Sequence, residues 1–311
     1  METRTLNGSP SILPLYARAA APLVPGLSLL PFVPGGGGEI PEIELELVNV
    51  KADPEAVAAY SRVCGFTLRD QLPPTYPHVL AFPLHMALMA DGRFPFGAVG
   101  LVHVENRIAQ HRPLGLGEEL TLRARPTALV PHPKGKAFTI VSEARTAGGE
   151  LAWEGVSTFL RRGKGNPEAK GGAELALDPA TPASAEWKLG GDLGRRYAAV
   201  SGDRNPIHMH AITARPLGFP SAIAHGMWTK ARCLAALESR LPDAFAVEVR
   251  FRKPILLPAR VEFASAEASD SAEPQGAIDF AVRDARKATP HLDGRITPET
   301  KPKAKQTGGK K

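Results

Sequence analysis

An α+β protein of two similar halves, each a buried helix followed by antiparallel strands, is what the sequence predicts, and three observations carry that expectation. Two stretches, residues 81–90 and 226–240, read as buried helices opening on apolar runs. Each is followed by strand-like segments separated by Gly and Pro turns, the order of a mostly antiparallel sheet. The third observation is a repeat. Residues 60–65 (YSRVCG) align with residues 197–202 (YAAVSG), and Leu84-His85-Met86 with Ala224-His225-Gly226.

The chain begins with a Pro- and Gly-rich lead, residues 1–40, expected to lie over the fold without regular structure. Residues 39–50 (EIPEIELELVNV) alternate apolar and acidic side chains, as a half-buried strand does. Asp53 and Pro54 open a helix, with a carboxylate at the N-cap and proline at the first helical position, and Gly65 closes it. After the helix at 81–90, strands are expected near 98–107, 119–128, 137–145 and 150–161. Residues 162–185 are rich in Gly, Pro, Lys and Ala. A first repeat over 41–165 is therefore joined by a linker at 166–185 to a second over 186–285. There Asp192 is placed to cap a helix over 193–201, a turn follows at 203–208, and strands fall at 246–253, 260–268 and 277–284. Residues 286–311 lack apolar periodicity and are expected to form a disordered basic tail.

With 311 residues, 43% of them hydrophobic and 23% charged, the chain has the make-up of a globular protein with length enough for a sizeable core. Its net charge of +6 invites a nucleic-acid reading. Eight Lys and Arg against two Asp and Glu after residue 285 account for all of that charge, so the basic balance belongs to the tail and no nucleic-acid partner is expected. Cys64 and Cys233 are too few for a disulfide framework and are expected as buried thiols. The apolar stretch from 12 to 33 contains Arg18 and four prolines, which argues against a membrane span. A cytoplasmic protein is the expectation.

The chemistry concentrates in residues 197–226 (YAAVSGDRNPIHMHAITARPLGFPSAIAHG). Pro206 removes a donor and pushes Asn205 out of the helical region, so the segment turns. Such a turn aims the Asp203 carboxylate and the His208 imidazole at one small volume. Gly226 opens the following helix, where free N–H groups and the helix dipole favour negative charge. An acid/base pair facing that helix end suits proton transfer beside a developing anion. His208, His210 and His225 do not read as a metal site, because no cysteine assists and Asp203 already accounts for His208. No metal and no cofactor are expected. In the aligned first copy Phe66, Leu68 and Gln71 stand where Asp203, Asn205 and His208 are, so only the second copy is expected to keep its chemistry.

YAAVSGDRNPIH followed by IAHGM resembles the MaoC-like hydratases, the R-specific enoyl-thioester hydratases/dehydratases, most closely over residues 197–227. The resemblance implies the hotdog fold, a central helix wrapped by a curved antiparallel β-sheet, and the doubled layout implies a double hotdog. It implies an acyl thioester of coenzyme A or acyl carrier protein as substrate. By the same resemblance Asp203 and His208 form the catalytic pair, the Gly226 N–H meets the thioester carbonyl, and Ser201, Asn205 and His225 support them. Asn205 is expected to order the loop and His225 to support the helix start, while His85 is structural. One departure is Leu234, which stands where single-domain members often carry a serine. The first central helix is followed by its strand about seven residues sooner than the second, which suggests a shortened helix and room for a long acyl chain. Arg250, Arg252 and Lys253 are either a solvated strand end or a contact for the phosphates of a pantetheine-bearing carrier. An acyl thioesterase and a non-catalytic acyl-binding subunit remain alternative functions, and both a monomer and a homodimer suit the fold.

Overall fold

A computed structural model describes residues 1–20, 38–169, 175, 177–268 and 274–299. In the first half, β1 (Glu2–Leu6) and α1 (Ile12–Ala20) precede β2 (Ile43–Val50), whose alternation buries Ile43, Leu45 and Leu47. Helix α2 (Pro54–Cys64) follows, and the Asp53 side chain accepts hydrogen bonds from the amides of Glu55 and Ala56 as the sequence predicts. Helix α3 (Tyr76–Met89) is the core of this half. Around it lie β2, β3 (Leu101–Gln110), β4 (Leu120–Pro126), β6 (Gly135–Thr146) and β7 (Leu151–Arg162), with the short β5 (Val130–His132) paired to β6.

The second half repeats the plan with β8 (Ala185–Leu189), α4 (Leu193–Ser201), the short α5 (Pro206–Met209) and α6 (Ala211–Ala214), then the central α7 (Gly226–Ala236). Strands β9 (Phe245–Phe251), β10 (Ala259–Glu267), β11 (Ile278–Asp284) and β12 (Pro290–Pro298) complete it. All the strands form one sheet in the order β1-β2-β4-β6-β7-β3-β9-β12-β11-β10-β8. Outward from the antiparallel β3–β9 seam, where Glu105 faces Arg250 and Gln110 faces Phe245, the two sides have the same connectivity. Helices α2 and α4 both end on a left-handed glycine, Gly65 at φ 87° and Gly202 at φ 76°. This is the double hotdog.

A buried lysine pins the seam. Lys230 on α7 is fully buried, and its Nζ donates to Asn106 Oδ1 (2.5 Å), Asn106 O (3.2 Å) and Val247 O (3.1 Å). The three oxygens lie on β3 and β9, so the central helix of one repeat is tied to the seam strand of the other. Cys64 and Cys233 are buried free thiols. No helix among the described residues is long and apolar enough to cross a membrane.

Several expectations need correction. The lead at 1–40 is not wholly irregular: β1 pairs in parallel with β2, and α1 packs on α3. The basic tail from 286 contains β12, which fills the place between β9 and β11. Residues 21–37 and 300–311 lie outside the described residues, as do 170–174 within the expected linker. Helix α3 begins at Tyr76, with Pro77 in its first turn and Pro83 tolerated inside it. It has 14 residues against 11 in α7, so the first helix is not the shorter one, and His85 sits well inside it rather than at its start. Asp192 precedes α4 without a side-chain cap.

Candidate active site

The Asp203–His208 turn is built by short-range hydrogen bonds. Ser201 Oγ donates to Tyr197 O (2.8 Å) and accepts the Asp203 amide (3.2 Å), carrying the chain out of α4. Asp203 Oδ1 then accepts the Asn205 amide (3.1 Å), and the Asn205 side chain caps α5 through the Ile207 amide. Helix α5 docks against α4 at Gly194, where a Cβ would lie 2.0 Å from His208 O, so only glycine permits the approach.

That turn brings together the side chains the sequence singles out. One ligand-type atom each from Asp203, His208 and His225 lies within 4.8 Å of the other two. His208 Nδ1–H donates to Ile223 O (2.8 Å), which leaves the Nε2 lone pair free. His225 Nε2–H donates to the Asp203 carbonyl (3.0 Å) and stands 3.8 Å from Asp203 Oδ2. Its ring stacks on His208 at 3.6 Å between centroids and lies 4.8 Å from the Tyr197 ring. His225 thus touches both Asp203 and His208. His210 is exposed, near Arg195, and takes no part in the cluster. Among the described residues these three are the one cluster with metal-ligand geometry, and each imidazole already commits a nitrogen to a backbone carbonyl.

Burial pushes the Asp203 carboxyl up, but the imidazoles of His225 and His208, the Asn205 amide and the Tyr16 hydroxyl outweigh it and hold the group below the ordinary carboxylate value. Burial lowers His208, opposed by Asp203 and the Ile223 carbonyl, and pushes His225 down to about 3. At neutral pH the site therefore holds a carboxylate beside neutral imidazoles. Tyr16 is the residue that the sequence reading missed. Its hydroxyl donates to Asp203 Oδ1 (2.8 Å) and accepts the Arg204 amide (2.9 Å), reaching the turn from α1. No local pattern marks it, since its partner lies 187 residues away.

These groups face a cavity of about 370 Å³ that also includes Gly226 in its wall. Gly226 opens α7, and no side chain caps that helix end. A Cβ there would come within 2.9 Å of the Phe251 ring, so the obstacle to a larger residue is that ring. The cavity continues into the first repeat between α3 and β3, along Val79, Phe82, Met86, Met89, Val99 and Leu101. Of the expected phosphate contacts, Arg252 is held by Asp293 (2.5 Å) and Arg250 lies 3.7 Å from Glu105, whereas Lys253 stays at the cavity wall.

Residues 181–284 match the family model described as a MaoC like domain. The chain is 38% identical over 291 residues to the "3-hydroxyacyl-thioester dehydratase X" of Mycobacterium tuberculosis, spanning 92% of this chain and 98% of that protein. It is 29% identical over 187 residues to the enoyl-CoA hydratase ChsH3 of the same organism, spanning 58% of this chain and 64% of that one. The crystal structure of M. tuberculosis HtdX superposes with a TM-score of 0.72 at 37% identity, covering 82% of this chain and all of that one. A MaoC-like dehydratase from Phytophthora capsici shares the fold with a TM-score of 0.67 at 19% identity, over 84% of this chain and 96% of that one. A relative this similar along nearly its whole length, together with the matching domain in the second repeat, shows that the chain belongs to the MaoC-like dehydratase family, in its double-hotdog form.

Proposed function

We propose that the protein adds water to 2-enoyl thioesters with R stereochemistry, and runs in reverse on (R)-3-hydroxyacyl thioesters borne by coenzyme A or acyl carrier protein. The observation that carries this reading is the approach of Asp203 and His208 within 4.8 Å on the wall of one cavity. Two acceptor atoms at that separation hydrogen-bond to a single water at about 2.8 Å each. Polarised by both groups, the water delivers its oxygen to C3. The proton that Asp203 or His208 takes from it is passed on to C2 from the same side, which makes the addition syn. Negative charge passes to the thioester oxygen, where the uncapped N–H groups at the start of α7, Gly226 first among them, supply donors and the positive end of the helix dipole. Catalytic roles for Asp203, His208 and Gly226 belong to this proposal, with Ser201, Asn205 and His225 holding the turn.

The apolar continuation of the cavity along α3 suits an acyl chain. Its room comes from the space between α3 and β3, and a shortened helix plays no part. The relative's name, a 3-hydroxyacyl-thioester dehydratase, agrees with the chemistry. Chiral analysis of the product from crotonyl-CoA and a longer 2-enoyl-CoA tests the reading. The R alcohol is expected from both. Free thiol release without a 3-hydroxy product would make the protein a thioesterase, and an S product would contradict the assigned face of attack.

A further inference from the structure

Two imidazoles stand in the part of the cavity that belongs to the first repeat, and the proton-transfer chemistry uses neither. Helix α3 presents His78, Phe82, Met86 and Met89 to that cavity, the spacing of one helical face. His103, on β3, stands in the same wall. His78 is only 7% exposed, and among the described residues no hydrogen bond reaches its ring. Its neighbours are other rings, His85 edge-on at 5.2 Å and His103 stacked at 6.2 Å. His103 lies against Phe159 at 4.8 Å and Phe251 at 5.1 Å, and its buried Nε2 has no partner either.

The next histidine along α3 shows what these two lack. His85 Nε2 is paired with Ser142 Oγ at 2.6 Å, and neither residue stands in the cavity wall. Burial pushes His78 down to about 4 and His103 to about 3, so both rings are neutral. Each therefore carries one N–H donor and one lone pair. A plain hydrocarbon chain laid along α3 would leave such nitrogens buried without partners, which is unfavourable. A hydroxyl group both donates and accepts, so it fits a neutral imidazole in either tautomer. A carboxylate fits poorly, because Val79, Phe82 and Leu101 beside the rings offer no counter-charge and the Asp203 charge reaches both rings.

We propose that His78, with His103 beside it, binds a hydroxyl group on the acyl chain beyond C3, so that the preferred substrate is a hydroxylated 2-enoyl thioester. The assignment rests on the thioester reading of Asp203 and His208 and adds a requirement on the chain itself. A site built to hydrogen-bond a hydroxyl rejects the chain that lacks it far more strongly than an apolar groove discriminates by length. The first repeat, which lost the acid/base pair, thereby supplies selectivity for the second.

The test compares 2-octenoyl-CoA with its 5-, 6- and 7-hydroxy derivatives on wild type, His78→Phe and His78→Gln. On wild type, kcat/KM for at least one hydroxy ester is expected to exceed that for the plain ester by roughly tenfold or more, the size of one buried hydrogen bond. His78→Phe keeps a ring in place and removes both nitrogens, so it should erase that ratio by slowing the hydroxy ester alone. His78→Gln restores a donor and an acceptor and should recover part of it. A residue that only packs would change all four esters together. Equal kcat/KM for the four esters on wild type overturns the assignment, as does a preference that survives in His78→Phe. The wild-type comparison decides even where a variant fails to fold. Should wild type hydrate none of the four, the proposed reaction fails, and calorimetry with the same unreacted esters still reads the chain preference. Tighter binding of a hydroxy ester by tenfold would then sustain the hydroxyl site, and equal binding would sink it.

Discussion

Tyr16 and Asp203 are joined by a 2.8 Å hydrogen bond across 187 residues of chain, linking the first helix to the carboxylate of the acid/base turn. The same hydroxyl accepts the Arg204 amide at 2.9 Å, so Tyr16 fixes both the carboxylate and the backbone that carries it. Burial and the neighbouring carboxylate raise the phenol above its ordinary value, which keeps it a donor. Its hydrogen bond lowers the Asp203 carboxyl, so removing it must raise that group. Tyr16→Phe is expected to shift the acidic limb of the kcat/KM profile to higher pH and to lower kcat by roughly fivefold, about 1 kcal/mol. An acidic limb that stays in place in the variant would leave Tyr16 a packing residue only.

Gly226→Ala sets a methyl group against the Phe251 ring, 2.9 Å from it before any adjustment. The ring, which lines the cavity, must shift to make room. Steady-state kinetics are expected to show kcat/KM lower by roughly tenfold to a hundredfold, with a thermal midpoint little altered. Full activity would mean that the start of α7 does not meet the reacting group.

Lys230→Met keeps the length of the side chain and removes its hydrogen-bond donors. Asn106 Oδ1 then loses its short contact inside the seam. A loss of about 2–4 kcal/mol in denaturant unfolding is expected. A variant as stable as wild type would show that the buried lysine is tolerated rather than needed.

Acid should weaken the fold well above the carboxylate range. His78 is pushed down to about 4 and His103 and His225 to about 3, each chiefly by burial. Unfolded histidine titrates near 6.5, so the unfolded chain binds protons that the folded one refuses. The stability these neutral rings confer is complete above pH 6.5 and falls as pH drops toward their folded values, by about 1.4 kcal/mol per ring per pH unit. Unfolding midpoints measured from pH 7.5 to 5 should decline steadily. A flat profile across that window would contradict the burial of neutral imidazoles.

What the sequence revealed follows from where the information lies. Strands β2 to β11 that alternate strongly were found because one face meets a central helix, and the α2 caps were found because Asp53 and Gly65 act locally. Strand β12 was hidden because Gly294 occupies an inward position. A Cβ there would meet the Phe280 ring at 2.3 Å, so close packing erased the apolar signal that would have marked the strand. Strand β8 is five residues long and shows only Trp187 and Leu189 as buried apolar positions, beside a Gly- and Pro-rich stretch. The prolines at 77 and 83 concealed the first turn of α3. At the site, the Asp203–His208 turn is encoded in six consecutive residues and was legible. Tyr16 and the cavity along α3 arise from tertiary packing and were not.

The central claim is that a carboxylate and an imidazole act together on one water. Asp203→Asn keeps the shape of the side chain and removes its charge, so measuring its turnover of crotonyl-CoA against wild type, alongside its thermal unfolding, tests that claim most directly. A folded variant with kcat lower by about 10²–10⁴-fold is the result expected. A folded variant that hydrates crotonyl-CoA at the wild-type rate would contradict the account.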